Sequence, residues 1–380
     1  MRFTWFIARR IIGQRSHRSS VSGPIITIGI IAIALGVITM LIAIGTGVGL
    51  QNKIGQKVAA FSGHIRVTTL ENSQQQETLK PLEEAQTIQI TLQNQVNVSA
   101  VQSVAYVPGV ILNQNAFDGI VFKGIDDSFN PEFFSFFGDS EKISALGTQD
   151  IWISTDLANK LALSIGDRVP LYFASVETAM PKRRSCNVSG LFTTGFSDYD
   201  NTYVLGHLDI IRSLYGWDSN QVGAFELFLD NSSDLSAQSD VLYDSIDALV
   251  DVQHIEEQFP EIFNWIRLFG TNISLIIIIM IIVGGVNMIT ALLVLILEQT
   301  QLIGITRVMG ASVRSLQQLF LIQGGYLIGV GLFLGNLIGL GLLFIQKQTG
   351  IISLDPATYY VSQVPVYIDV TTVLWLNGLT

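Results

Sequence analysis

The sequence has 380 residues, of which 49% are hydrophobic and 14% are charged, and its formal net charge at pH 7 is −10. The apolar residues are concentrated in three uncharged runs, at residues 24–50, 271–297 and 315–345. A buried core helix accounts for about 10 to 14 apolar residues, whereas a bilayer core requires about 20. This pattern excludes a soluble protein and predicts a polytopic membrane protein.

The N-terminal segment 1–23 has five arginines and no acidic residue, which indicates a cytoplasmic flank under the positive-inside rule. Aromatic and aliphatic residues lie among these arginines, and this pattern is typical of an amphipathic helix in the headgroup region. An ordinary basic flank is the alternative. The first apolar run exceeds the roughly 7 to 15 residues of a cleaved signal peptide, so we interpret it as an uncleaved first span.

Charge separates the chain into two parts. Residues 51–270 contain 13 Lys and Arg against 28 Asp and Glu, a net charge of −15, whereas the remainder contains 8 against 3, a net charge of +5. We therefore expect an extracytoplasmic domain that anionic lipid and nucleic acid would repel. The single cysteine, Cys186, permits no internal disulfide, so the domain must be stabilised by its own core.

This domain is predicted to be α+β. Segments rich in β-branched or aromatic residues predict strands at residues 65–70, 101–112, 119–125, 169–173 and 224–229. Apolar periodicity predicts helices at residues 155–163 and 233–250. The polar run at residues 71–76 has no such periodicity, and we expect it to be an exposed loop.

The C-terminal part alternates spans and connections. Residues 271–297 form the predicted second span, 298–314 a cytoplasmic segment whose helix ends at Gly310, and 315–345 the third span, which Ser312 can cap. Residues 346–368 are predicted to form an extracytoplasmic loop. Residues 369–380 are predicted to begin a truncated fourth span.

Glycines recur along the third span. Gly331, Gly335 and Gly339 follow one another at four-residue spacing, with Gly325 and Gly329 before them. Small residues at this spacing permit close helix approach in membranes. We expect this face to pack against another span, either in this chain or in a second subunit.

Motifs for catalysis were not found. There is no G-x-x-x-x-G-K-[ST] phosphate loop, and the four histidines form neither an H-E-x-x-H motif nor a Cys/His pair. Asp198, Asp200 and Asp209 are interpreted as solvated loop carboxylates. We therefore assign no catalytic residue, metal or cofactor to this chain, and any ATP must be bound by a partner.

Five segments occur in the order found in one known family. They are Phe6-Ile7-Ala8-Arg9-Arg10, Phe61-Ser62-Gly63-His64-Ile65-Arg66, Tyr199-Asp200-Asn201-Thr202-Tyr203-Val204, the run from Ile303 to Ala311, and Tyr359-Tyr360 with Val364-Pro365-Val366. Together with the predicted topology, they resemble the lipoprotein-releasing permeases LolC and LolE, within the ABC permease group that includes MacB and FtsX.

The resemblance implies an α-helical membrane permease with a large α+β periplasmic domain between spans one and two. It implies a non-catalytic subunit of the bacterial inner membrane that moves lipoprotein cargo with a LolD-like ATPase and a second permease subunit, the same chain or a related one. A MacB-like exporter of peptides or toxins, and an FtsX-like regulator of a cell-wall hydrolase, are the alternatives.

The resemblance also implies two contact sites. The cytoplasmic segment would contact the ATPase, although a simple helical hairpin turn is the alternative; its candidate residues are Glu298, Leu302, Ile303, Ile305, Arg307, Met309, Gly310 and Arg314. Residues 173–186 would hold a LolA-like periplasmic carrier, or form an ordinary solvated hairpin. The candidates at the expected tip of this loop are Met180, Pro181, Lys182, Arg183 and Arg184.

Overall fold

The computed structural model describes residues 22–75, 78, 80–113, 116–127, 129, 146–174, 180–230, 234–246 and 250–380. Two compact units are present. The membrane unit comprises the described residues of Met1–Asn52, Trp265–Ser353 and Gln363–Thr380. The sheet domain comprises those of Lys53–Asn264 and Leu354–Ser362. Residues 1–21 of the predicted amphipathic segment lie outside the described residues.

Helices and strands are numbered separately in chain order. The helices are α1 (Ser22–Ser62), α2 (Leu70–Gln75), α3 (Ala85–Gln93), α4 (Thr155–Lys160), α5 (Ser197–Thr202), α6 (Leu208–Tyr215), α7 (Leu235–Ser245), α8 (Ile255–Gln258), α9 (Pro260–Glu298), α10 (Thr300–Val308), α11 (Val313–Thr349), α12 (Pro356–Tyr359) and α13 (Val370–Leu379). The strands are β1 (Ile65–Thr69), β2 (Val98–Asn113), β3 (Ala116–Ile125), β4 (Asp150–Ser154), β5 (Arg168–Phe173), β6 (Lys182–Phe192), β7 (Tyr203–His207), β8 (Ala224–Leu229) and β9 (Val250–His254).

The described strands form one mixed sheet in the order β3-β7-β4-β6-β5-β2-β8-β1-β9. Because β2 also pairs with β3, six of these strands close into a ring. The other three strands extend from the first half of β2, which pairs with β8. Residues 101–107 of β2 are consequently buried on both faces, so this strand lacks the solvated face of a simple two-sided sheet.

Helices cover the sheet through apolar faces. In α6, Leu208, Ile211 and Leu214 recur at three-residue spacing and are buried in the main core, as an amphipathic helix requires. Ser154 precedes α4 and caps it: its side chain accepts a hydrogen bond from the Leu157 amide and satisfies one free donor of the first turn. All five predicted strands are present, and the α+β prediction is confirmed.

The predicted exposed loop at residues 71–76 is wrong. Leu70–Gln75 is helical, and Asn72 and Ser73 are buried. The Asn72 amide donates to the Lys80 carbonyl at 2.8 Å and accepts from the Lys80 amide at 3.2 Å. A polar helix of this kind is held by side-chain bonds to the backbone, which apolar periodicity does not reveal.

The predicted helix at residues 233–250 is too long. The structure has a helix over Leu235–Ser245, and Asp234 caps it by accepting from the Ala237 amide. Val250 begins strand β9 instead of ending the helix, because its backbone pairs with Thr69 of β1. Residues 233 and 247–249 lie outside the described residues.

In the described part of the chain, three helices are long and apolar enough to cross a membrane: Thr27–Ser62, Pro260–Leu297 and Val313–Thr349. The first continues 12 residues past the predicted end of span one at residue 50, and the second begins 11 residues before residue 271. In the membrane unit, the side-chain amide of Asn336 on α11 donates to Asn377 Oδ1 on α13 at 2.7 Å. Hydrogen bonds of this type hold helices together in lipid.

Candidate functional site

α10 is the segment proposed to contact an ATPase. This helix of nine residues contains no buried side chain. Gly310 follows it with a φ of +91°, a conformation that glycine adopts without strain. Ser312 then caps α11 by accepting a hydrogen bond from the Ser315 amide. The predicted stop at Gly310 and cap at Ser312 therefore agree with the structure.

The exposed side of α10 is apolar with a basic border. Ile305, Val308 and Met309 are 55%, 90% and 80% exposed, and Arg307 and Arg314 are also exposed. Val308 is the most exposed of these apolar residues, and the sequence prediction omitted it. Exposed apolar side chains bordered by charge are typical of a protein interface.

Other predicted contact residues turn inward. Leu302 and Ile303 are half-buried, and Ile303 packs against a small core of Leu295, Leu319 and Phe320. This packing within the membrane unit is what a helical hairpin requires, and such a hairpin was the alternative to an ATPase contact for this segment. The predicted ATPase-contact residues thus form two groups. Leu302 and Ile303 are half-buried, whereas the exposed ones are available to a partner: Ile305, Arg307, Met309, Gly310 and Arg314. The side chain of Glu298 lies outside the described structure.

The glycines of α11 divide in the same way. A Cβ atom on Gly331, Gly335 or Gly339 would lie within 3.0 Å of side-chain atoms on α1, which belong to Ile33, Val37 and Leu41 respectively. A Cβ on Gly325 or Gly329 would meet nothing within 4 Å. Three of the five predicted packing glycines therefore contact α1 of the same chain, and two do not.

The predicted tip of the β5–β6 hairpin is misplaced. Lys182, Arg183 and Arg184 belong to strand β6 and pair with Phe173, Tyr172 and Leu171 of β5. The pairing of β5 with β6 continues to Phe173, the last residue of β5, so these three basic residues lie within the paired strand. Of the predicted tip residues, only Met180 and Pro181 precede the strand, and both are exposed; residues 175–179 lie outside the described residues.

Two of these basic side chains are engaged within the sheet domain. Lys182 Nζ donates to the Leu214 carbonyl at 2.7 Å and lies 5.3 Å from the Tyr215 ring centroid. Arg184 Nη2 donates to the Ser213 carbonyl at 3.1 Å. Both acceptor carbonyls and the Tyr215 ring are in the last turn of α6, where cations are favourable. Part of the basic character of this hairpin therefore serves to cap a helix.

Cys186 provides a reporter of the folded sheet domain. It is buried, and burial raises the pKa of its thiol to about 11, so about 0.1% is thiolate at pH 8. We expect iodoacetamide to label native Cys186 more than about a hundredfold more slowly than the unfolded chain, and tenfold faster at pH 9 than at pH 8. Equal rates with and without denaturant would contradict this.

A buried ion pair lies at the centre of the sheet domain and was not predicted. Lys123 of β3 and Glu226 of β8 are fully buried, and Lys123 Nζ lies 2.9 Å from Glu226 Oε2. Gln102 and Tyr106 of β2 also donate to the carboxylate. Burial lowers the pKa of Lys123, and the Glu226 carboxylate opposes that shift. Glu226 is thus surrounded by donors from two strands.

The cluster also includes the end of α1. Lys123 Nζ donates to the Phe61 carbonyl in the last turn of α1, and the buried Arg66 guanidinium lies 5.4 Å from the Tyr106 ring centroid. Two buried cations thus accompany one carboxylate, Glu226. The C-terminal end of a helix carries a partial negative charge, equivalent to roughly half an electron. Lys123 therefore joins the helix end to the sheet electrostatically.

An aromatic cluster adjoins this ion pair. Tyr199 lies 4.6 Å from Phe61, 5.2 Å from Phe196 and 5.7 Å from Phe259, measured between ring centroids. Phe196 also stacks on Tyr360 at 4.7 Å. Phe61, Tyr199 and Tyr360 come from three of the five segments that carry the family resemblance. The sheet domain therefore brings together segments that lie far apart in the sequence.

Comparison with protein families gives two matches that together cover most of the chain. Residues 25–259 match the model of the MacB-like periplasmic core domain. Residues 274–379 match the model of the FtsX-like permease C-terminal region. The first match contains most of α1 and nearly all of the sheet domain, and the second contains most of α9 and the helices after it.

Curated relatives are similar over nearly the whole chain. The lipoprotein-releasing system transmembrane protein LolC of Neisseria meningitidis serogroup B is 22% identical over 373 residues, which cover 94% of this chain and 88% of that protein. LolC of Haemophilus influenzae is 23% identical over 333 residues, covering 85% and 79% respectively.

Solved structures of isolated domains are also similar. The extracellular domain of the ABC-type transporter YknZ from Gram-positive bacteria is 13% identical with a TM-score of 0.34, covering 50% of this chain and 99% of that one. The periplasmic region of MacB from Actinobacillus actinomycetemcomitans is 11% identical with a TM-score of 0.35, covering 53% and 92%.

Proposed function

The chain belongs to the MacB-like family of ABC permeases, of the LolC/LolE type, and we propose that it releases lipoproteins from the bacterial inner membrane, driven by a separate ATPase subunit. The observation that carries the proposal is similarity to LolC along 94% of the chain. The sheet domain between the first and second spanning helices agrees with that similarity.

The orientation follows from charge. The arginine-rich segment 1–23 and the basic residues around α10 would face the cytoplasm, and the acidic domain would face the periplasm. A connection between spans two and three lies on the same side as the N-terminus when each helix crosses once. α10 would then be accessible to a cytoplasmic ATPase.

Lipoprotein release requires an external source of energy. Exposing a buried acyl chain to water costs about 0.8 kcal/mol per methylene, so a lipoprotein with three acyl chains needs on the order of 30 kcal/mol. The sequence has no phosphate loop for ATP. In this proposal the chain is non-catalytic and holds no cofactor, and a LolD-like partner binds and hydrolyses ATP.

The exposed side of α10 supports the contact with that ATPase. We expect Val308→Lys to abolish ATPase association, because it places a charge at an apolar position that is 90% exposed. A cation near a helix C-terminus is favourable, so α10 should remain folded. Co-purification of the ATPase with the full chain measures the effect, and a loss of at least tenfold is expected.

Val96→Lys is the matched control for that variant. Val96 is 95% exposed and lies in a turn of the sheet domain, so the same substitution should leave ATPase association unchanged. Undiminished association in Val308→Lys would count against α10 as the contact.

Apolar faces in the membrane unit support binding of cargo and of a second permease. α9 is scarcely buried, and Ile278, Ile282 and Ile289 are among its exposed residues. Such a surface can contact lipid, acyl chains or another spanning helix. We propose that two permease subunits, identical or related, enclose the acyl chains along their first and second spans.

A soluble carrier is the proposed recipient of the cargo. Met180 at the start of β6 is 79% exposed, and Pro181 and Arg183 are exposed beside it. A basic hairpin on an acidic domain would favour a partner of opposite charge. Because Lys182 and Arg184 already contact α6, we expect Met180, Pro181 and Arg183 to carry most of this contact.

Affinity purification of the full chain with lipid-preserving extraction tests the proposal. We expect an ABC ATPase, a second permease chain and acylated lipoproteins, identified by mass spectrometry. A cell-wall hydrolase with no lipoprotein would support the FtsX-like alternative. Peptides or toxins in place of lipoproteins would support the MacB-like alternative.

A further inference from the structure

A lysine near the end of α1 binds two loops of the sheet domain at once. Lys57 Nζ donates to the carbonyl of Thr194 and to the carbonyl of Tyr360, both at 3.0 Å. It also lies 5.8 Å from the centroid of the Phe196 ring. One ammonium group thus connects α1, the loop before α5 and the segment that contains α12.

The first acceptor is held in place by its own hydrogen bonds. The Asp200 carboxylate, interpreted from the sequence as a solvated loop carboxylate, is instead buried. It accepts from the Thr194 amide at 2.8 Å and from the Gly195 amide at 3.0 Å. Gly195 has a φ of +77°, and a Cβ there would lie 3.2 Å from Lys57 Nζ. The position therefore needs glycine for its backbone conformation and for the close approach of the lysine.

The second acceptor is in an unusual conformation. Tyr360 has a φ of +61°, a left-handed conformation that is unfavourable for a non-glycine residue and persists where surrounding contacts fix it. Its carbonyl bonds to Lys57, and its ring stacks on Phe196 with an interplanar angle of 21°. Strained residues of this kind are common at functional sites.

The segment that contains α12 lies between two parts of the membrane unit along the chain. Leu354–Ser362 belongs to the sheet domain, although the residues on either side belong to the membrane unit. Helices α1 and α9 join the two units covalently at Asn52–Lys53 and Asn264–Trp265. Leu354–Ser362 provides a further connection, which follows α11 and precedes α13.

We propose that Lys57 is a coupling residue, which fastens Leu354–Ser362 to the sheet domain so that movement of α11 and α13 is transmitted to that domain. Without this contact the segment would keep its internal hydrogen bonds and the stacking of Tyr360 on Phe196, but no hydrogen bond would join it to α1 and to the loop before α5 through one ammonium group. The inference rests on the proposed function, in which a partner ATPase drives release, and it adds that ATP hydrolysis by this partner moves the spanning helices.

Hydrogen exchange of the full chain in nanodiscs tests the fastening. Lys57→Met keeps an unbranched side chain and removes the hydrogen-bond donors of the ammonium group. In this variant the amides of Thr358, Tyr359 and Tyr360 should exchange on the order of tenfold faster. These amides bond to Asp355 and Pro356 within the segment. Amides of β2 and β8 should be unchanged, which shows that the domain is folded.

Two matched variants serve as controls. Lys53→Met removes an equal charge one turn earlier on α1 and leaves both carbonyls with Lys57, so exchange at residues 358–360 should match that of the unaltered chain. Lys57→Arg keeps a cationic donor and should restore at least part of the protection. Unchanged exchange in Lys57→Met, or equal acceleration in Lys53→Met, would overturn the fastening.

The coupling is read in the complex with the cognate ATPase. Adding ATP with vanadate should change exchange in the loop at residues 193–200 in the unaltered complex, and the change should be lost in Lys57→Met. A change that persists in Lys57→Met, or none in the unaltered complex, would overturn the coupling. Neither readout requires lipoprotein, so failure to release lipoprotein would refute the proposed function separately.

Discussion

Lys123→Met should lower the free energy of unfolding of the sheet domain by about 3–5 kcal/mol, because it leaves the Glu226 carboxylate buried without the ammonium group that contacts it. Both side chains are fully buried, with Nζ and Oε2 2.9 Å apart. The variant also removes the donor to the Phe61 carbonyl at the end of α1. Denaturant titration with Cys186 labelling as the reporter measures the loss.

Two comparisons identify the cause of that loss. Lys80→Met breaks the exposed pair between Lys80 and Glu71 and should cost no more than about 1 kcal/mol. Lys123→Met combined with Glu226→Gln also removes the carboxylate that has lost its ion-pair partner, and it should recover more than half of the loss. A double variant as unstable as Lys123→Met alone would show that the carboxylate is not the source of the destabilisation.

Gly335→Val should destabilise the membrane unit by about 1–3 kcal/mol, the usual range for overpacking. A Cβ at this position would lie 2.8 Å from Val37 Cβ and 3.0 Å from the Ala34 carbonyl. Helices α1 and α11 would have to separate along this face. The apparent unfolding temperature of the full chain in detergent measures the effect.

Gly329→Val is the matched control. It changes the same helix by the same residue, so the loss of glycine affects helix propensity equally. A Cβ at Gly329 would meet nothing within 4 Å, and we expect little change in unfolding temperature. Equal destabilisation by the two variants would contradict the assignment of Gly335 to a close contact with α1.

Local patterns predicted five of the nine described strands, and β4, β6, β7 and β9 were missed. The predicted strand at residues 224–229 matches β8, and Gly310 and Ser312 mark the end of α10 and the start of α11. These predictions depend on neighbouring residues and on backbone preferences. Because such patterns include only neighbouring residues, the polar helix α2 was missed. It depends on hydrogen bonds between the Asn72 side chain and the backbone of Lys80, eight residues later.

The central features of the candidate site depend on contacts between distant residues. Lys123 and Glu226 are 103 residues apart, and Lys57 and Tyr360 are 303 residues apart. Lys123 is the single charge in the predicted strand at residues 119–125, and Glu226 is the single charge in the predicted strand at residues 224–229. That isolation is a usable signal, because a lone charge in a strand buried on both faces needs a partner. Its partner could not be identified without the sheet order.

The assignment of Leu354–Ser362 to the sheet domain had no local signal. The sequence predicted only a loop at residues 346–368, and neither polarity nor periodicity distinguishes a docked loop from a solvated one. The contact depends on the Lys57 ammonium and on the backbone conformation of Tyr360. Both are tertiary properties, which pattern-based prediction cannot supply.

Release from proteoliposomes tests the central claim most directly. The chain is reconstituted with its ATPase and second permease, a fluorescent triacylated lipoprotein is embedded in the bilayer, and a soluble carrier is supplied outside. We predict that the lipoprotein moves to the soluble fraction with ATP and stays in the bilayer with a non-hydrolysable analogue. Lipoprotein that stays in the bilayer while ATP is hydrolysed would contradict the account.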